Sequence, residues 1–155
     1  MNPNLNVKLL TKSDIQSVID LSIKIFEPEN LENNPYHKYQ TWMEHFTQGG
    51  ILLGYFESEE LIGFTFNYDR VPEQKISHLW LSGVDENYRR HGIYKTLMNE
   101  LVKLLKKKGY LAMTVNTNRE KFPAMLNYLL KNQYSIQKEE LLEDKTHKVY
   151  LKRQL

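Results

Sequence analysis

Arg89, Arg90 and Lys95 crowd around a single glycine in the stretch Asn87-Tyr88-Arg89-Arg90-His91-Gly92-Ile93-Tyr94-Lys95-Thr96-Leu97. An apolar run, Ile76 to Val84, precedes it, and an amphipathic stretch ending at Lys108 follows, so the spacing predicts a strand, a short turn and a helix. Cations are the wrong sign for that helix start, whose exposed N–H groups already carry about half a positive charge. An anion seated on those N–H groups removes the conflict. Gly92 would let it approach the backbone with no side chain in the way. The chemistry read first is therefore an anion site, best suited to phosphate. The plainer alternative is a basic helix start offset by Asp85 and Glu86.

The elements that must position this turn are legible around it. Residues 6–10 alternate as a first strand, and Thr11 with Asp14 resembles a capping box opening a helix that Pro28 closes. Asn34-Pro35 starts a second helix, carrying the stripe Tyr36, Tyr39, Met43 and Phe46 and ending at Gly49-Gly50. Residues 51–57 and 61–69 read as a hairpin turned by Ser58-Glu59-Glu60, and 76–84 as the next strand. The helix from about Gly92 places Ile93, Leu97, Leu101, Leu104 and Leu105 on one face, with Gly109 suited to its C-terminal cap. Residues 110–115 form a strand, a last helix runs from near Phe122, and 134–141 and 147–151 close the chain as strands. The order βααβββαβαββ predicts an α+β (mixed α/β) fold, a mixed, mostly antiparallel sheet with helices on both faces, in one domain over residues 1–155. The crossover from 76–84 to 110–115 should be parallel and right-handed.

Composition bounds the rest. The chain has 155 residues, 21 basic against 19 acidic side chains and no cysteine, which excludes disulfides and thiolate chemistry and argues against nucleic acid as a partner. No apolar run is long enough to span a membrane and the first residues are too polar for a signal peptide, so the cytoplasm is the expected location. His37, His45, His91 and His147 show no metal-ligand spacing, and no metal is expected.

Neither a Walker phosphate loop nor a dinucleotide fingerprint is present. What remains, Arg89-x-x-Gly92-x-Tyr94 between a strand and a helix, resembles motif A, Gln/Arg-x-x-Gly-x-Gly/Ala, of the GNAT superfamily of acyl-CoA-dependent N-acetyltransferases. The run Val84-Asp85-Glu86-Asn87-Tyr88-Arg89-Arg90-His91-Gly92-Ile93 is similar to that family's strand-end valine, acidic turn and arginine-glycine loop, and the element order fits over nearly the whole chain. The resemblance implies a GNAT-like fold and acetyl-CoA as acyl-donor cosubstrate. It also implies that backbone N–H groups of Arg90, His91, Gly92, Ile93, Tyr94, Lys95 and Thr96, beside Arg89, cradle the pyrophosphate. Ser82, Gly83 and Val84 would pair with the pantetheine arm, in a splay between the strands ending near Val84 and Val115. Tyr94 departs from the small residue of the motif, and its side chain is expected to point off the helix.

Acetylating an amine needs a neutral nucleophile and a protonated leaving thiol. A lysine-type amine is neutral in about one molecule in 2,500 at pH 7, an α-amino group in about one in seven. Many members of the family place a tyrosine acid on the last helix, before a Gly-Phe pair. If Gln133-Tyr134 stands for that pair the position falls on Leu129; counted from Ala124 it falls on Tyr128, the candidate acid. His78 is the candidate base, with Glu57 and Asp69 as further options; a lone strand histidine is also a common structural residue. Glu27, Glu29 and Glu32 would attract a cationic amine, and Tyr36, Tyr39 and Trp42 would wall its pocket, although surface acids and a core-facing aromatic stripe are the commoner explanation. The expected activity is acetyl transfer to a primary amine of a small molecule or peptide, and a homodimer is compatible with it. The rivals are a catalytically silent acyl-CoA-binding module for sensing or assembly and, more distantly, a nucleic-acid-binding domain using Arg89, Arg90 and the lysines 103–108.

Overall fold

The computed structural model describes residues 6–26 and 38–155. Strand β1 (Val7–Leu9) is followed by helices α1 (Ile15–Phe26) and α2 (Tyr39–Thr47), the meander β2 (Ile51–Glu57), β3 (Glu60–Tyr68) and β4 (Ile76–Val84), then α3 (Ile93–Lys107), β5 (Ala112–Asn118), α4 (Pro123–Lys131), β6 (Ser135–Leu141) and β7 (His147–Gln154). The expected helix start at Asn34-Pro35 and the residues Glu27, Glu29, Glu32, Tyr36 and His37 lie outside the described residues.

The seven strands form one sheet in the order β1-β2-β3-β4-β5-β7-β6. Only β4 and β5 are parallel; the other five pairings are antiparallel. Alternation along the central strands feeds two cores. On one face, Leu79, Met113 and Val115 pack with the α3 stripe Ile93, Leu97, Leu101 and Leu105 and with Leu126 and Leu129 of α4. On the other, Leu52, Phe64 and Phe66 meet Ile15, Val18 and Ile19 of α1 and Trp42 of α2. Each fully buried large side chain in these cores contributes about 1.5–3 kcal/mol of transfer free energy. At Gly83 α1 packs close on the sheet: a Cβ there would stand 3.1 Å from Ile25 Cγ2.

Strands β5 and β7 have boundaries that differ from expectation. Strand β5 begins two residues later than 110, because Tyr110 still belongs to the helix end: its N–H donates to Leu105 O at 3.0 Å behind the left-handed Gly109. It also runs on to Asn118, paired with β7, which itself extends to Gln154.

The feature that positions the site is a failure of pairing. The β4–β5 ladder runs from Ile76–Ala112 to Leu79–Val115 and stops, so residues 80–84 and 116–118 diverge as the walls of a wedge. A bulge begins the divergence: Phe66 faces Leu81 and Asn67 faces Leu79, leaving Trp80 as an extra residue in β4. The far wall is pinned by Asn118, whose Oδ1 accepts the N–H groups of Glu120 and Lys121 at 3.1 and 3.0 Å and whose Nδ2 donates to Thr146 Oγ1 at 2.8 Å. Asn118→Ala should lower the unfolding free energy by about 1–2 kcal/mol, read by denaturant melting, because three hydrogen bonds at a largely buried side chain are lost together.

Candidate active site

At the mouth of the wedge the turn after β4 adopts the conformation an anion site requires. Arg90 and Gly92 both have positive φ, 68° and 75°, so the backbone curls just before α3. Gly92 is the N-cap residue, makes no side-chain cap and leaves the first-turn N–H groups of Ile93, Tyr94 and Lys95 uncapped by any acidic side chain of that turn. The N–H of Thr96 is already used, donating to Gly92 O at 3.0 Å. A Cβ on Gly92 would meet no atom within 4 Å, so the space in front of the turn is open. Arg89 folds back: its Nε donates to Val84 O at 3.1 Å and ties the turn to the strand end. Arg90, His91 and Lys95 are exposed around the opening.

The plainer electrostatic explanation is a helix start offset by Asp85 and Glu86; Glu86 is exposed, and Asp85 is committed elsewhere. The Asp85 carboxylate is buried; it accepts Lys24 Nζ at 2.7 Å and the N–H of Asn87 at 3.0 Å, contacts that hold it below the usual carboxylate range. It joins α1 to the turn and leaves the cations at the α3 start facing outward.

Tyr94 does not point off the helix as expected. It turns inward, its hydroxyl 2.8 Å from Ser82 Oγ and 3.3 Å from Met125 Sδ, with its ring set edge-on to Tyr128 at 5.3 Å. The motif specifies a backbone position there, so the direction of so large a side chain was not readable from it. Tyr128 is half-buried on α4, and burial raises its pKa, keeping it a proton donor.

His78 lies on the other side of the sheet. Leu79 and Val115 face the α3–α4 core, so His78 and its cross-strand partner Thr114 face the α1–α2 side. His78 Nδ1 is 2.8 Å from Thr114 Oγ1, and Tyr68 meets the imidazole edge-on at 5.9 Å. Burial, followed by the nearby charges of Arg70 and Lys148, pulls its pKa down to about 3. His78 lines a cleft of ≈ 250 Å³ with Arg70, Thr114, Asn116, Gln137 and Tyr150, and no carboxylate residue is among its lining residues. Lys138 and Lys148 sit 5.2 and 5.0 Å from the Tyr150 ring, while Tyr150 donates its hydroxyl to Glu140 at 2.8 Å. The cleft runs from Arg70, Val71 and Gln74 of the β3–β4 connection past Ile76 and His78 to Asn116, the first β5 residue beyond the last β4–β5 rung. Sequence reasoning missed Arg70, Thr114, Asn116 and Tyr150, which become neighbours of His78 only through strand pairing.

The other candidate bases are elsewhere. Asp69 accepts the Tyr110 hydroxyl at 2.8 Å, and Tyr110 follows α3 at the end of the sheet away from the wedge. Glu57 is at the tip of the β2–β3 hairpin, paired with Glu60. Trp42 is fully buried in the α1–α2 core and Tyr39 is exposed. Among the described residues, no group of three or more His, Cys, Asp or Glu could hold a metal ion, and no helix is long and apolar enough to cross a membrane.

The model of the Acetyltransferase (GNAT) family matches residues 15–128. Solved structures similar in fold include the PaiA N-acetyltransferase of Thermoplasma acidophilum in complex with coenzyme A, 17% identical with a TM-score of 0.76, covering 96% of this chain and 98% of that one. The ribosomal-protein-S18-alanine N-acetyltransferase of Escherichia coli is 12% identical with a TM-score of 0.78, covering 96% and 92%. A GNAT-family acetyltransferase of Staphylococcus aureus is 17% identical with a TM-score of 0.77, covering 97% and 98%. No curated protein matches the chain in sequence.

The depressed pKa of His78 has a stability consequence. Its folded-state value lies below the unfolded value near 6.5, so the unfolded chain binds the extra proton; this contribution is complete above about pH 6.5 and is lost as pH falls toward 3. His45, also lowered by burial, acts in the same direction. His78→Gln should flatten part of the fall in Tm between pH 6.5 and 4.5; an unchanged slope would refute the assignment.

Proposed function

Because the chain belongs to the GNAT family of acetyltransferases and is an acetyl-CoA-dependent acyltransferase, we propose that it acetylates a primary amine of a small molecule or peptide. The donor would lie on the α3 side of the wedge and the acceptor in the His78 cleft on the other. The observation that carries this reading is the wedge itself, a gap in the sheet with an open helix start at its mouth and the His78 cleft reaching Asn116 on its β5 wall. The uncapped N–H groups of Ile93, Tyr94 and Lys95, with Arg90 beside them, would hold the pyrophosphate, and Arg89 would hold the turn. The free edge of β4 from Ser82 to Gly83 would pair with the amide-bearing arm.

Transfer forms a nitrogen–carbon bond at the thioester carbonyl and breaks the carbon–sulfur bond. Tyr128, kept protonated by burial, would donate to the leaving sulfur. Nitrogen that has attacked a carbonyl is far more acidic than an ordinary ammonium, so even the weakly basic imidazole of His78 could take its proton. Such a base cannot strip an ordinary alkylammonium, and nearby Arg70 and Lys148 repel one. The acceptor suited to this site arrives substantially neutral, as an α-amine does. A carboxylate close to that amine would complement Arg70.

Two measurements test the two halves. At φ +75° a β-branched residue in place of Gly92 would be strained, whereas asparagine tolerates the left-handed region. Gly92→Asn should keep the fold, by circular dichroism, and weaken CoA binding at least about tenfold, a loss of ~1.4 kcal/mol; unchanged affinity would sink the anion site. In a thiol-release assay, peptides with a free α-amine and an acidic neighbouring residue should exceed polyamines and lysine side chains in kcat/KM, and Arg70→Ala should narrow that margin. A preference for polyamines would overturn the acceptor assignment.

A further inference from the structure

Tyr94 joins three of the elements around the wedge. It leaves the first turn of α3, reaches Ser82 on the unpaired part of β4 at 2.8 Å, touches Met125 Sδ on α4 at 3.3 Å and meets the Tyr128 ring edge-on at 79°. Its ring therefore lies on the helix side of the wedge, below the strand edge and beside the candidate acid. An acyl group carried to this point has two directions in which to extend. One is the cleft beyond the sheet, where Arg70, Asn116 and Gln137 are polar and an acceptor must sit. The other is the apolar interior between α3 and α4, lined by Met125 and backed by Leu79 and Val115. A hydrocarbon chain favours the second, and Tyr94 fills it.

We propose that Tyr94 is a specificity-determining residue for the acyl donor, a floor to the donor slot that admits acetyl and excludes longer chains. This rests on the reading that the wedge receives the donor arm. The Ser82 hydrogen bond fixes the ring in place, but exclusion comes from the volume of the ring. Loss of the hydroxyl alone should leave the discrimination, whereas loss of the ring should remove it. The space released is apolar and enclosed by α3, β4 and α4, the kind of cavity that takes up a hydrocarbon.

The test compares kcat/KM for acetyl-CoA and hexanoyl-CoA with one amine, alongside CoA affinity by calorimetry and Tm for each variant. Wild type should favour acetyl-CoA by at least about tenfold, since each methylene that does not fit costs a factor of that order or more. Tyr94→Ala should reduce that preference at least about tenfold, mainly through a lower KM for hexanoyl-CoA, and Tyr94→Phe should retain it. Tyr94→Leu, apolar and smaller than the ring, should shift the same way and supplies the comparison if the alanine variant does not fold. A donor ratio in the folded Ala or Leu variant within twofold of wild type would overturn the proposal, as would a wild type that uses both donors equally. Failure of wild type to bind CoA at all would overturn the donor reading together with it, so the two failures are distinguishable.

Discussion

The constraint on which the rest depends is the early end of the β4–β5 ladder. A parallel pair joined by a right-handed helical crossover must carry the chain from the C-terminal end of β4 back to the start of β5, so α3 necessarily begins at the end where β4 finishes. The bulge at Trp80, the extra β4 residue between the rungs Phe66–Leu81 and Asn67–Leu79, bends β4 at the residue following the last rung shared with β5. Strand β5 cannot follow the bend, because from Ala112 to Asn118 it is paired with β7. One strand is turned by its bulge and the other is held by its neighbour, and the sheet opens between them. Because the same end of β4 carries the turn to α3, the gap and the helix start coincide for topological reasons.

Charge is arranged to leave this opening usable. Asp85, the buried acidic group ahead of the cationic turn, is committed to Lys24 and to the N–H of Asn87, which docks α1 on the turn. Arg89 is committed to Val84 O. What stays exposed is Arg90 and Lys95, two cations beside N–H groups that no side chain caps. On the opposite face, burial first and then the cationic Arg70 and Lys148 keep the imidazole of His78 neutral. An electropositive environment on both sides suits an anionic donor; for the acceptor it favours an amine that does not depend on a strong base.

What the sequence made legible follows from what periodicity and spacing can encode. The stripe Ile93, Leu97, Leu101 and Leu105 defined α3 and its buried face, and the Ser58–Glu60 turn defined the hairpin, because these depend on neighbours along the chain. The Arg89–Gly92 spacing marked the helix start for the same reason. Properties set by partners far along the chain were not readable. Insertion of β7 between β5 and β6 lengthened both β5 and β7 beyond their apolar cores, since Thr117 and Asn118 pair across to Val149 and Lys148 despite their polarity. The environment of His78 comes from Thr114, 36 positions away, and from Arg70 beyond the β3 end. Tyr94 was identifiable as a departure from the motif, but the direction of its ring depends on where Ser82 and Met125 lie.

Placing Tyr128 and His78 on opposite faces of the sheet has a mechanistic consequence for the proposed reaction. An acid and a base that faced one another across a shared pocket would compete for the same proton and pull each other's pKa values together. In the proposed reaction the two protons that must move would be separated, one leaving the nitrogen toward the α1–α2 side and the other reaching the sulfur from the α3–α4 side, with the sheet as the barrier between them. Burial can then raise the pKa of the tyrosine and lower that of the histidine independently, keeping both neutral at pH 7 without either charge having to compensate the other. A neutral pair suits a reaction whose overall proton balance needs one group to give and another to take, while the ionic interactions are left to the exposed turn at the start of α3.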